Sequence, residues 1–241
     1  MGRHGTIAGR KQAQDTKRAA VFTKYARAIT VAAKAGGDPL YNVALKHAID
    51  KAKSINMPND NITRAIKKGT GELSGESYEQ GFLEGYGPGG VAVMVDVLTD
   101  NRNRTTSFVK HILDKFGGNL GSPGCVSYMF AQKGLIVIER EEGIKEEDIM
   151  DISLENGAED LMTYDDSFEI ITSTQDFDNV RDKLSEAGYT LAEADITYIP
   201  SMETKPETEE DMKNLKRIID ELEDNDDVQN VFHNLSISLN D

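Results

Sequence analysis

Residues 207–237 read ETEEDMKNLKRIIDELEDNDDVQNVFHNLSI. Leu215, Ile218, Ile219 and Leu222 recur at helical spacing, and Glu209, Glu210 and Asp211 stand where the positive end of a helix dipole favours acids. The DNDD that follows lacks the glycine and distal glutamate of an EF-hand loop and reads as a helix-ending turn. VQNVFHNLSI then has strand character. A helix and a strand alone make no core, yet burying each large apolar side chain is worth about 1.5–3 kcal/mol. Their partner sheet must therefore lie upstream.

Two patterns upstream can be compared. Residues 133–200 hold strand GLIVIE, a helix near 146–157, strands LMTY and SFEIIT, a helix near 175–187 and strand ADITYI. This βαββαβ order is the complete ferredoxin-like arrangement. Residues 78–131 hold only strand VAVMVDVL, helix TSFVKHILDKFGG and strand CVSYMF. The expected fold is thus α+β and multidomain, with one ferredoxin-like domain (133–200) inserted into another split between 78–131 and 206–241. A linear string of domains would leave the last helix and strand without a sheet.

Ahead of these lies a basic helical domain, residues 1–75. Phe22, Tyr25, Ala26, Ile29, Ala32 and Ala33 fall on one helical arc, with Lys17, Lys24, Arg27 and Lys34 opposite. Gly36-Gly37 ends that helix. Asp38-Pro39 suggests the N-cap and first position of a second, and a third begins near Pro58 and ends at Gly69. TGELSGES, 70–77, is a linker.

The net charge of −15 conceals a division. Residues 1–70 carry fourteen bases against four acids, a balance of +10; the remainder carries thirteen against thirty-eight, −25. Such asymmetry speaks of partners. The basic end suits a polyanion, through Arg3, Arg10, Lys11, Arg18, Lys67 and Lys68 together with the stripe. A basic stripe opposite an apolar one is also the ordinary pattern of a solvated face.

Little points to catalysis. The four histidines have no metal-spaced partners, so neither metal nor cofactor is expected. GYGPGG, 85–90, lacks the Lys-Ser/Thr of a P-loop and suits a tight turn. The single cysteine, Cys125, excludes an internal disulfide and reads as a small core residue. No apolar run reaches the roughly 20 residues of a membrane span, and MGRHGTIAGRKQ has no secretory h-region. A cytoplasmic protein is the expectation. TDNRNRT, 99–105, joins a strand to a helix starting near Thr105, with Asn103 or Thr105 as cap. Arg102 and Arg104 there could bind phosphate oxygens beside a helix N-terminus. The alternative is internal pairing with Asp96, Asp100 or Glu84.

Several long stretches occur in an order that resembles the YebC family: QAQDTKR, ITVAAK and RAIKKGTG, then EGYGPGGVAVMVDVLTDNRNRT, then GGNLGSPGCVSYMF. The resemblance covers most of residues 10–140. It implies a helical domain followed by two α+β domains, and no catalytic activity. Members of that family are described as probable transcriptional regulators, and one relative is a mitochondrial translational activator of cytochrome oxidase. The resemblance implies DNA or ribosomal RNA as partner; beside the latter, the acidic domains would suit basic ribosomal proteins or simply keep the molecule soluble. Many members open with Ser-Lys-Trp. This chain has RHGTIAGRK, 3–11, and no tryptophan, so Arg3, His4, Arg10 and Lys11 keep only the charge of that segment. A protein-interaction scaffold is the remaining reading.

Overall fold

The computed structural model describes residues 18–75, 77–141 and 143–236. They form two compact units, one from 18–127 with 204–235 and one from 128–203. The N-terminal helical region and two small antiparallel sheets bearing helices give the α+β class expected.

Three helices open the first unit: α1 (Arg18–Ala32), α2 (Val43–Ser54) and α3 (Asn59–Gly69). Their apolar stripes meet in one core around Ile29, Ala33, Leu45, Ile49, Ala52, Met57, Ile62 and Ala65. The start of α2 differs from expectation. Asp38-Pro39 forms a turn instead, and Asn42 is the N-cap, its Oδ1 accepting from the Leu45 N–H at 3.1 Å. Asn42 wins because its amide also donates to the carbonyls of Ala32 and Gly36, both at 2.8 Å, so one buried side chain ties the turn together.

The same unit holds a sheet of β1 (Glu79–Tyr86), β2 (Ala92–Thr99), β3 (Asn119–Leu120) and β8 (Val228–His233), in the order β3-β1-β2-β8. Helices α4 (Arg102–Lys115) and α7 (Glu209–Glu223) pack on it and on each other. Leu215, Ile218, Ile219 and Leu222 of α7 are buried, and β8 pairs with β2 from Val93↔His233 to Val97↔Val228. Where the chain re-enters the unit, Asn234 accepts from the Ala92 N–H through its side chain (2.8 Å) and from the Thr204 N–H through its carbonyl (2.7 Å).

Strand β1 was not legible as a strand, because two of its residues are glycine. Gly85 is explained by close approach: a Cβ there would collide with the Asn119 carbonyl of β3. CVSYMF, by contrast, is not a strand along its length. Glu84, projecting from β1, accepts the N–H groups of Gly124 (2.8 Å), Val126 (2.9 Å) and Ser127 (2.8 Å). Those donors are unavailable to a ladder, and pairing resumes only at Phe130.

The second unit has β4 (Phe130–Glu139), α5 (Glu146–Glu155), β5 (Ala158–Thr163), β6 (Ser167–Thr172), α6 (Phe177–Glu186) and β7 (Leu191–Pro200). The antiparallel order β5-β6-β4-β7 is that of a βαββαβ sheet. Ile136, Ile138, Phe168 and Ile170 of the central strands pack with Ile149 of α5 and with Phe177, Val180 and Leu184 of α6.

Burial alone would push the Glu84 carboxyl up, but the three N–H donors outweigh it and hold it below the usual carboxylate range. Its contribution is therefore present at neutral pH and lost as pH falls beneath the usual carboxylate range and through the lowered folded-state value. Glu84→Ala leaves three backbone donors without their acceptor and is expected to cost about 3 kcal/mol at pH 7. The difference from the parent chain should shrink in melts at acid pH; an equal deficit at pH 7 and at acid pH would contradict the clamp.

Candidate nucleic-acid interface

Three cations on and just after α1 have partners within the protein. Lys24 donates from Nζ to the carbonyl of Glu223, the last residue of α7, at 2.6 Å. The negative end of the α7 dipole favours a cation there. Arg27 donates to the Asp226 carbonyl at 2.7 Å and to Asp227 Oδ1 at 2.6 Å, and its guanidinium lies 5.3 Å from the centroid of the Tyr78 ring. Lys34 reaches the Tyr78 carbonyl at 3.0 Å. Three of the four predicted stripe residues, Lys24, Arg27 and Lys34, thus meet carboxylate or carbonyl oxygens of the α+β part of their own unit in a seam, although Lys34 stays exposed.

The same carboxylate decides the RNR loop. Helix α4 starts at Arg102, not near Thr105, with Asn101 as N-cap; its Oδ1 accepts from the Arg104 N–H at 3.0 Å. Both arginines therefore stand in the first helical turn, where the dipole disfavours positive charge. Arg104 is compensated by Asp100 at 2.7 Å and by Asp227 Oδ2 at 2.6 Å. Thr105 and Thr99 add hydroxyl donors to the same oxygen at 2.8 and 3.2 Å. Burial works to raise the Asp227 pKa, but these donors, led by Arg104, and Arg27 hold it below the usual range. Asp227 in turn raises the Arg104 pKa, with Asp100 assisting. For Arg104 the geometry is the internal pairing, so the two-fork anion site is not assembled. Arg102 is exposed, its guanidinium against the backbone of Gly81.

Other predicted positions divide as follows. Arg3, Arg10, Lys11 and Lys17 lie outside the described residues, and Arg18 opens α1. Lys67 and Lys68 are exposed on the last turn of α3. Exposed Lys46 and Lys53 on α2 and Arg64 on α3 join them, alongside the exposed acids Asp50 and Asp60. Sequence patterning counted these cations but did not single them out, because their positions follow from which helix face the core takes. Asp227 was missed altogether, since DNDD has the composition of an ordinary turn.

Chemistry of other kinds finds little footing. Burial, then the Glu84 charge, push the Cys125 thiol up, away from a nucleophilic thiolate. In the GYGPGG stretch, Gly89 and Gly90 have φ of 69° and 74°, and Pro206 packs beside Gly89, as in a turn filled from within. Among the described residues no group of His, Cys, Asp or Glu converges as a metal site, and no helix is long and apolar enough to cross a membrane.

Comparison with known proteins covers nearly the whole chain. Residues 3–72 match the family model of the TACO1/YebC protein N-terminal domain, and residues 78–235 that of the TACO1/YebC second and third domain. A probable transcriptional regulatory protein of Clostridioides difficile is 54% identical over 98% of this chain and 100% of its own length. One from Geobacillus kaustophilus is 52% identical over 97% and 95%. A conserved hypothetical protein from Aquifex aeolicus, solved by crystallography, superposes with a TM-score of 0.83 at 44% identity, covering 92% of each chain.

Arg102→Gln is expected to leave thermal stability within about 0.5 kcal/mol, whereas Arg104→Gln lowers the melting temperature. Asp227→Ala strips two guanidinium groups of their shared partner and should cost about 3–5 kcal/mol. Equal melting of the two arginine variants would contradict this assignment.

Proposed function

The chain belongs to the TACO1/YebC family, and we propose that it is a non-enzymatic regulator of gene expression that binds nucleic acid through the outward surface of its helical region. The relatives' names support a regulatory role. The observation that carries the binding is the charge division, +10 over residues 1–70 against −25 over the rest. Charge of this kind is used on partners, because fold alone gives no reason to segregate it.

The seam gives Lys24, Arg27, Lys34 and Arg104 partners within the chain, which makes them less available to meet phosphates although Lys34 and Arg104 stay exposed. What remains to do so is the set Lys46, Lys53, Arg64, Lys67 and Lys68, with the basic residues ahead of α1 and Arg102 as an outlying contact. Backbone contacts dominate such a surface, so affinity is salt-dependent and sequence preference weak. The acidic second unit is repelled by the same polyanion and faces other partners, basic ribosomal proteins among them, or solvent. We take DNA in the cytoplasm as the first target, a reading supported by the relatives being named transcriptional regulatory proteins. Structured ribosomal RNA is the second reading, favoured by a bulky apolar turn exposed on the helical region.

If five of these cations contact duplex phosphates, log K should fall with log[salt] at a slope of about −4.5. Lys67→Gln/Lys68→Gln should make that slope shallower by about 1.8 without changing the melting temperature. Fluorescence anisotropy on labelled duplexes across a salt series checks this. A slope unchanged in the double variant would place the contacts elsewhere.

A further inference from the structure

Among the described residues, seven large hydrophobic side chains are well exposed, and three of them stand within four positions: Leu40 (85%), Tyr41 (89%) and Val43 (66%). Turn residues are ordinarily small or polar, so bulky apolar side chains here need a reason. The turn is also firmly built. Asp38 Oδ1 accepts from the Leu40 N–H at 2.9 Å, and the Asp38 carbonyl from the Tyr41 N–H at 3.2 Å. Asn42 then fastens the turn to Ala32, Gly36 and α2 through its buried side chain. Leu40 and Tyr41 are displayed by a backbone that has little ordering entropy left to lose on binding.

We propose that the Leu40–Tyr41–Val43 turn is a base-stacking contact for unpaired nucleobases of single-stranded or looped RNA, an inference that rests on the nucleic-acid reading above. The exposed carboxylate of Asp38 stands in the turn itself, against cations on the flanking helices that suit a polyanion. Lys46 lies about one turn further along α2 from Val43. Gly37 abuts Thr70 and Ile66, which brings the last turn of α3, with Lys67 and Lys68, beside the 36–43 segment. An aromatic and aliphatic centre with a basic rim is the arrangement that holds a flexible strand, bases on rings and phosphates on cations. Of the exposed side chains Leu40, Tyr41 and Val43, only Tyr41 carries a polar group, its hydroxyl, so this surface meets base faces. In a duplex those faces are covered, and exposing them costs a few kcal/mol per step. Folded RNA offers them already open in its loops.

The test uses the full-length chain and a labelled RNA strand of about 12 nucleotides, free and annealed to its complement, with DNA of the same sequence as a further arm. The wild type should prefer the free RNA strand. Tyr41→Ala should weaken that binding about ten- to a hundredfold with the salt slope unchanged, while Tyr41→Phe keeps it. With no tryptophan in the chain, emission comes from its eight tyrosines, and the share of Tyr41 is read by difference from the Tyr41→Phe variant. Quenching on RNA binding should be smaller in Tyr41→Phe. Undiminished binding by Tyr41→Ala, with Lys67→Gln/Lys68→Gln weakened, would overturn the stacking contact and leave the basic surface standing. A Tyr41→Ala loss confined to DNA, or equal wild-type affinity for strand and duplex, would overturn the choice of RNA loops. Failure of the wild type to bind any of the probes would overturn both this contact and the reading it rests on.

Discussion

One carboxylate, Asp227, joins three parts of the chain that are remote in sequence. Arg27 comes from the N-terminal helices, Arg104, Thr105 and Thr99 from the junction of β2 and α4, and Asp227 itself from the turn before β8. A buried carboxylate left without partners would cost several kcal/mol. Here each oxygen is met by a guanidinium, and one by two hydroxyls besides. The consequence reaches the surface: with Arg27 committed to this seam, α2 and α3 carry most of the exposed cations among the described residues of the helical region, Lys34 being the other.

Much of the architecture can be read in the residues because it rests on periodicity. The apolar stripe of α7 and the strand after it demand a sheet, and the incomplete pattern upstream lacks a helix and a strand. The βαββαβ order of 133–200 is equally plain. Legibility fails where a side chain overrides local preference. Glu84 takes three backbone donors and stops CVSYMF from pairing, close approach to β3 requires a glycine in β1, and Asn42 and Asn101 cap helices at points the local pattern did not favour.

The site was less legible than the fold for a related reason. A lysine or arginine opposite an apolar stripe has the same sequence signature whether it meets water, a phosphate or another part of its own chain. Arg27 and Lys67 look alike in sequence, yet one is held by Asp227 and the other is exposed. The Leu40–Tyr41 turn was hidden by the opposite error, since Asp38-Pro39 suggests a helix start that would absorb both residues into its first turn.

We propose that nucleic acid is met on the helical surface of α2 and α3, not at the arginines of the RNR loop. Ultraviolet crosslinking of the full-length protein in cells, with the crosslinked peptides mapped by mass spectrometry, tests this most directly. Adducts on peptides spanning 36–46 and 61–70 are the predicted result. Crosslinks confined to residues 99–105 or to 128–203 would contradict it.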